Sequence, residues 1–162
     1  MEFNVRMSWQ YIAGFVDGEG SIVKTKRTVY RILVPQTHEG VLEEIKKFTG
    51  VGYIFKCKTR KAHWKDNWVY AISRQKDVLF VLKKLKPYLI VKRQLAEDRI
   101  PTIEKLIAEG EVRRQRLQKR VKVCKFLRGK GWTYRAIAKK LKVDFGYARR
   151  LFLYGQDGVW RN

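Results

Sequence analysis

Hydrophobic positions in this 162-residue chain recur with two different periods, and the period switches from segment to segment. Ser8 is an N-capping residue type, and the apolar run that follows to about Val16, closed by Gly18 and Gly20, predicts a short helix. Ser21–Thr25 and Thr28–Val34 carry β-branched and aromatic residues on either side of Lys26-Arg27, which is a hairpin pattern. Val41, Leu42, Ile45 and Phe48 fall at helical spacing within 39–48. Val51–Cys57 and Trp68–Ser73 form a second strand pair around a basic, aromatic loop over 58–67. Val78, Leu79, Leu82 and Leu85 mark a helix that Pro87 stops. A further helix is predicted over 91–108, with Pro101 as an obstacle because proline removes a helix hydrogen bond. The order α-β-β-α-β-β-α predicts an α+β fold, in which helices cover one face of an antiparallel sheet and leave the other open.

The rest of the chain reads as helix. Val112–Arg128 is a heavily basic helical segment. Thr133 is placed to cap a helix with Ile137, Ala138 and Leu141 inward, Lys142-Val143 makes a turn, and Asp144 caps a second helix with Ala148, Leu151 and Phe152 inward. That is a helix-turn-helix pattern with Tyr147, Arg149 and Arg150 on the recognition helix; the alternative is a helical clamp whose basic residues are only solvated. Trp132 and Trp160 suit core or docking positions better than base stacking. Around Gly110, Ala108-Glu109-Gly110-Glu111 reads as a helix end with glycine as the C-cap, which divides the chain into 1–110 and 111–162.

Charge changes this picture from a generic fold to one with a partner. The chain holds 37 Lys+Arg against 15 Asp+Glu, a net charge of +22, yet 45% of its residues are hydrophobic. That hydrophobicity excludes a disordered polybasic tail. The charge calls for a polyanion, nucleic acid first and an anionic membrane surface second. Residues 1–100 hold 20 basic and 10 acidic residues, a net of +10; residues 101–162 hold 17 and 5, a net of +12. No apolar stretch approaches the roughly 20 residues that span a bilayer, and no export signal opens the chain, so an intracellular protein is expected in cytoplasm, nucleoid or organelle. Cys57, Cys124, His38 and His63 are too few and too scattered for a disulfide framework or a zinc cluster. On the strands, Lys24 and Lys26 share one face, as do Lys56, Lys58 and Arg60; with Arg31 and Arg74 they suggest a basic ribbon for a DNA groove, against the plainer reading of a solvated sheet face.

The segment Tyr11–Gly20 carries candidate chemistry. Gly14 and Gly18 lie four apart on one helix face, and each costs about 1 kcal/mol in a helix interior, which close helix–helix contact would offset. Asp17 and Glu19 sit at the helix C-terminus, where the macrodipole disfavours carboxylates unless a cation joins them. A glycine-rich turn with merely exposed acids is the bland alternative.

Ile12-Ala13-Gly14-Phe15-Val16-Asp17-Gly18-Glu19-Gly20, followed by Ser21-Ile22, resembles the signature of the LAGLIDADG homing endonucleases. The resemblance extends over about the first 100 residues, through Gly50-Val51-Gly52-Tyr53 and Leu85-Lys86-Pro87-Tyr88-Leu89 to Lys92. It implies the family's fold, with an antiparallel sheet as a DNA-binding saddle and paired motif helices at an interface holding Ala13, Gly14 and Asp17. It implies Glu19 as the metal-binding acid, where Asp is commoner, with the Gly18 carbonyl as a second ligand. It further implies Lys92 near the scissile phosphate and Gln36 orienting the attacking water. The implied activity is Mg²⁺-dependent, site-specific cleavage of double-stranded DNA, with Mn²⁺ as a substitute metal and no small-molecule cofactor. One motif per chain implies a homodimer and a palindromic or near-palindromic site. A non-catalytic transcription regulator and an intron RNA maturase remain the alternatives.

Overall fold

The computed structural model describes residues 6–25, 29–57 and 66–157, with side chains described through 153. Its elements are α1 (Trp9–Gly18), β1 (Ser21–Lys24), β2 (Tyr30–Gln36), α2 (Glu39–Thr49), β3 (Tyr53–Lys56), β4 (Trp68–Ile72), α3 (Gln75–Leu85), α4 (Arg93–Gly129), α5 (Tyr134–Leu141) and α6 (Phe145–Asp157). The first seven follow the α-β-β-α-β-β-α order that the hydrophobic pattern predicts. Two compact units result, Met1–Ile107 and Ala108–Asn162.

In the first unit the strands form one antiparallel sheet in the order β1-β2-β4-β3. Its registers pair Ile22 with Ile32, Ile32 with Ile72, Val34 with Tyr70, and Ile54 with Tyr70. Directly opposed residues share a face, so these side chains make one apolar layer. Ile12, Ala13 and Val16 of α1, Leu42 and Ile45 of α2, and Val78, Val81, Leu82 and Leu85 of α3 pack with them into one core. Local chemistry sets the helix ends. The Ser8 hydroxyl accepts from the Tyr11 N–H at 3.2 Å, and Gly50 takes the left-handed conformation (φ +68°) that closes α2. Gly52 is needed as glycine for space as well as conformation: at φ +84°, a Cβ would lie 2.7 Å from the Tyr70 ring.

Two helix expectations are corrected. Gly110 caps nothing; it lies inside α4, which runs unbroken from Arg93 to Gly129. The helix also continues through Pro101. Proline at this position removes one backbone donor, and burial of Ala96 and Ile103, both 0% exposed, offsets that cost.

In the second unit, Thr133 caps α5 by accepting from the Ala136 N–H at 3.3 Å, and Lys142 ends it in a left-handed conformation (φ 52°). Asp144 opens α6, its carboxylate accepting from the Tyr147 N–H at 2.8 Å. Val121, Cys124, Ile137, Ala138, Ala148 and Leu151 form the core of this unit; of the inward positions read from the sequence, Ile137, Ala138, Ala148 and Leu151 are buried there, and Leu141 and Phe152 pack against it partly buried. Trp132 is half exposed, and Trp160 lies outside the described residues. Among the described residues, no helix is long and apolar enough to cross a membrane.

Candidate active site and nucleic-acid face

The end of α1 is built by two different uses of a carboxylate. Asp17 turns back into its own chain. Its Oδ2 accepts from the N–H of Ile90 at 2.6 Å and of Val91 at 3.2 Å, and its Oδ1 accepts from the Lys92 N–H at 2.9 Å. These donors immediately precede α4, where a helix start leaves amides without intrahelical partners. Burial pulls the Asp17 carboxyl upward, but the amides of Ile90, Lys92 and Val91, helped by the Lys92 ammonium, outweigh it and hold the pKa below its ordinary value. The sequence suggests a cation to explain an acid at this negative helix end; backbone amides are the explanation for Asp17.

Glu19 is the other case. It is exposed, and no described residue bonds its carboxylate. The Phe15 and Val16 carbonyls are occupied by the amides of Glu19 at 2.9 Å and Gly20 at 3.0 Å, and the Asp17 carbonyl accepts from the Lys92 ammonium. The tight turn needs Gly20, since a Cβ there would come within 2.8 Å of the Val16 carbonyl oxygen. Lys92 is thus fixed through both its amide and its side chain to the helix end from which Glu19 emerges. Among the described residues there is no group of three or more His, Cys, Asp or Glu that would hold a metal. The acid left exposed at this helix end is Glu19, next to Gly18; a carboxylate and a backbone carbonyl are hard oxygen donors, the kind that Mg²⁺ takes beside waters and phosphate oxygens.

Gln36 ends β2. Ser21 pairs with Leu33, so the strand end bearing Gln36 lies at the same end of the β1–β2 ladder as the turn from α1. Its Oε1 accepts from the Thr37 amide at 2.7 Å and from the Thr37 hydroxyl at 3.2 Å.

The free face of α1 is Tyr11, Gly14, Phe15 and Gly18. Tyr11 and Phe15 stack with centroids 6.0 Å apart. Around Gly14 and Gly18, no atom of the described residues lies within 4 Å of an added Cβ, so no packing among the described residues explains either glycine. Of the three residues expected at a helix interface, only Gly14 is on this face. Ala13 is 0% exposed in the chain's own core, and Asp17 is committed to the turn before α4. Tyr11 and Phe15, at helical spacing from the glycines, were legible in the sequence by the same rule and complete the face.

The sheet corrects the expected basic ribbon. Lys24 pairs with Tyr30, and Lys56 with Trp68, so both lysines stand on the helix-bearing face, at the two sheet edges. Their ammonium groups lie 6.0 Å from the Tyr30 ring and 5.4 Å from the Trp68 ring, and Lys56 also pairs with Asp66. Arg31 is exposed on the open face. Arg74 lies past β4 at the start of α3, its Nε and Nη2 donating to Asp77 at 3.1 and 2.9 Å. Lys26, Lys58 and Arg60 lie outside the described residues. In place of a basic ribbon, the described part of the open face carries Tyr53 and Phe55 on β3, 46% and 42% exposed, beside Ala71 and Val69 of β4. On α6, Arg149 and Arg150 are exposed, and the Arg150 guanidinium lies 5.8 Å from the Tyr147 ring.

Solved structures with this fold include the LAGLIDADG meganuclease I-AabMI bound to uncleaved DNA, 28% identical, with a TM-score of 0.50 over 65% of this chain and 38% of the other. An archaeal intron-encoded homing endonuclease, I-Vdi141I, complexed with DNA, aligns over 91% of this chain and 96% of its own at 19% identity and a TM-score of 0.50. The homing endonuclease I-CvuI, solved in complex with its target, is 26% identical with a TM-score of 0.49; the alignment covers 60% of this chain, which spans 66% of the I-CvuI chain. No curated protein sequence matches the chain. The family model described as LAGLIDADG endonuclease matches residues 12–97, from the α1 motif through Lys92 and into α4. By that match, over more than half its length and across the whole sheet, the chain belongs to the LAGLIDADG endonuclease family.

Proposed function

We propose that this chain is a site-specific DNA endonuclease of the homing type, acting with Mg²⁺ as a homodimer on a palindromic or near-palindromic site. The observation that carries this reading is the pairing of Asp17 and Glu19: one acid locks Lys92 to the end of α1, and the other is left exposed beside it. Glu19 and the Gly18 carbonyl would hold the metal. A bound Mg²⁺ would supply charge neutralisation at the phosphate and a more acidic water. Lys92, oriented by Asp17, offers positive charge to the phosphate or leaving oxygen. Gln36 orients water at the neighbouring strand end.

One such site cuts one strand, so cutting a duplex calls for two. The face of Tyr11, Gly14, Phe15 and Gly18 is where a second copy would pack, bringing its own Glu19 close. The DNA-binding charge we assign first to Arg31 on the open sheet face, with Arg74, Lys26, Lys58 and Arg60 as further basic residues and Lys24 and Lys56 limited to phosphate contacts from the sheet edges. A second contact comes from α6, with Tyr147, Arg149 and Arg150 facing DNA as the second helix of a helix-turn-helix. In this scheme residues 1–110 cut and residues 111–162 add grip.

The test is cleavage of a library of duplex sites in Mg²⁺ and in EDTA. Glu19→Gln should abolish cutting while leaving DNA affinity largely intact, and cutting at the wild-type rate by this variant would refute the metal assignment. Cleavage by the wild-type protein also separates this reading from a non-catalytic regulator. Lys92→Ala should slow single-turnover cleavage by about 100-fold, and an unchanged rate would remove it from the site. Light scattering with and without DNA decides whether two copies assemble.

A further inference from the structure

The open face of the sheet has a chemistry that binding to phosphates does not explain. Among the described strand residues it carries Ser21, Val23, Leu33, Pro35, Tyr53 and Phe55, with Val69 and Ala71 buried between them and Arg31 as its one basic side chain. The registers arrange the apolar part in two parallel rows across the sheet, Leu33–Ala71–Tyr53 and Pro35–Val69–Phe55. Each row ends in an exposed aromatic ring on the edge strand β3, and the two ring centroids are 5.9 Å apart. Residues two apart on a strand are separated by about 6.8 Å, the length of two base steps of about 3.4 Å.

Resting on the endonuclease reading, we propose that this face selects its target by apolar contact with thymine C5-methyl groups. Tyr53 and Phe55 read two thymines separated by one base pair in each half-site. Several points favour DNA over a protein as the occupant. The chain carries a net charge of +22, and Arg31 stands on the same face as the apolar rows. The major groove accepts a β-ribbon and displays the thymine methyl as its only apolar group. The same chemistry disfavours RNA, whose uracil lacks that methyl.

The experiment enriches binding duplexes from a randomised library with the full chain in EDTA. Binding is then measured on the enriched duplex with each thymine replaced in turn by deoxyuridine, which removes the methyl and leaves base pairing intact. At two thymines per half-site, spaced by one base pair, the replacement should weaken binding about fourfold, the effect of one buried methyl group. Phe55→Ser should erase the penalty at one of them and Tyr53→Ser at the other. An enriched duplex indifferent to deoxyuridine at every position overturns the proposal without touching the endonuclease reading, and so do penalties that persist in both variants. The wild-type comparison stands even if a variant fails to fold. A methyl-dependent duplex left uncut in Mg²⁺ supports the methyl contact and overturns the nuclease. A library that enriches nothing overturns both.

Discussion

Replacing Asp17 by Asn tests the joint between α1 and the turn that carries Lys92. The carboxylate accepts three backbone N–H groups at 2.6, 3.2 and 2.9 Å. A hydrogen bond to a charged group contributes about 1.5–3 kcal/mol when buried. Ile90 and Val91 are 82% and 76% exposed, so water substitutes readily at two of the three amides. Asparagine keeps one acceptor oxygen but points an NH₂ group at the remaining donors. A net loss of about 2 kcal/mol follows, which lowers the melting temperature by about 4–8 °C for a chain of this size. The effect depends on pH in a definite direction. Because the folded-state pKa lies below the ordinary value of 3.8, the contribution of Asp17 is complete above about pH 4 and disappears as pH falls through the folded-state pKa. Thermal melts followed by circular dichroism should therefore separate the two proteins at pH 7 and bring them together as pH falls below 3.8 and through the lowered pKa. Single-turnover cleavage should slow as well, because Lys92 loses its anchor. Equal melting at pH 7, or a difference that persists unchanged into acid, would refute the account.

Gly14→Ala should leave the isolated chain as stable or up to about 1 kcal/mol more stable, yet impair assembly and cleavage; full cleavage by this variant would mean that the free face of α1 does not pack on a second copy. Gly20→Ala should cost about 1–3 kcal/mol in thermal melts, because its Cβ meets Val16 backbone at 2.8–2.9 Å, and a neutral result would show that the turn can relax. Tyr70→Phe should cost about 1–2 kcal/mol in chemical denaturation, since its hydroxyl donates to the Val51 carbonyl at 2.8 Å and bonds Thr49 at 2.7 Å; wild-type stability would remove that pair from the packing of α2 on the sheet. Exchanging Arg149 and Arg150 for Ala should flatten the log–log salt dependence of DNA binding by about 2, and an unchanged slope would leave α6 as a scaffold.

The pattern of hydrophobic positions was enough to place the elements. Ser8, Thr133 and Asp144 act as caps where their chemistry says they should, and the inward residues of α5 and α6 follow from a 3.6-residue period. Net charge and the motif from Ile12 to Gly20 likewise point to a DNA-directed nuclease from sequence alone. Helix continuity was harder to read. A glycine signal at Gly110 competes with the helix formers around it, and the helix runs on through it with exposed residues on either side.

Strand faces needed the tertiary structure for a physical reason. Tyr53-Ile54-Phe55-Lys56 gives no polar alternation to follow, and a shift of one residue in register moves every side chain to the opposite face. Pairing with β2 turns Lys24 away from the open face, and pairing with β4 turns Lys56 away and brings Tyr53 and Phe55 onto it. The two motif acids show the same division. Sequence put Asp17 and Glu19 two residues apart at a helix end, where both looked like candidates for a cation. What separated them was a turn more than 70 residues further along, whose amides claim Asp17 and leave Glu19 exposed. A contact of that range has no local signature, because it depends on how α3 and α4 pack against α1.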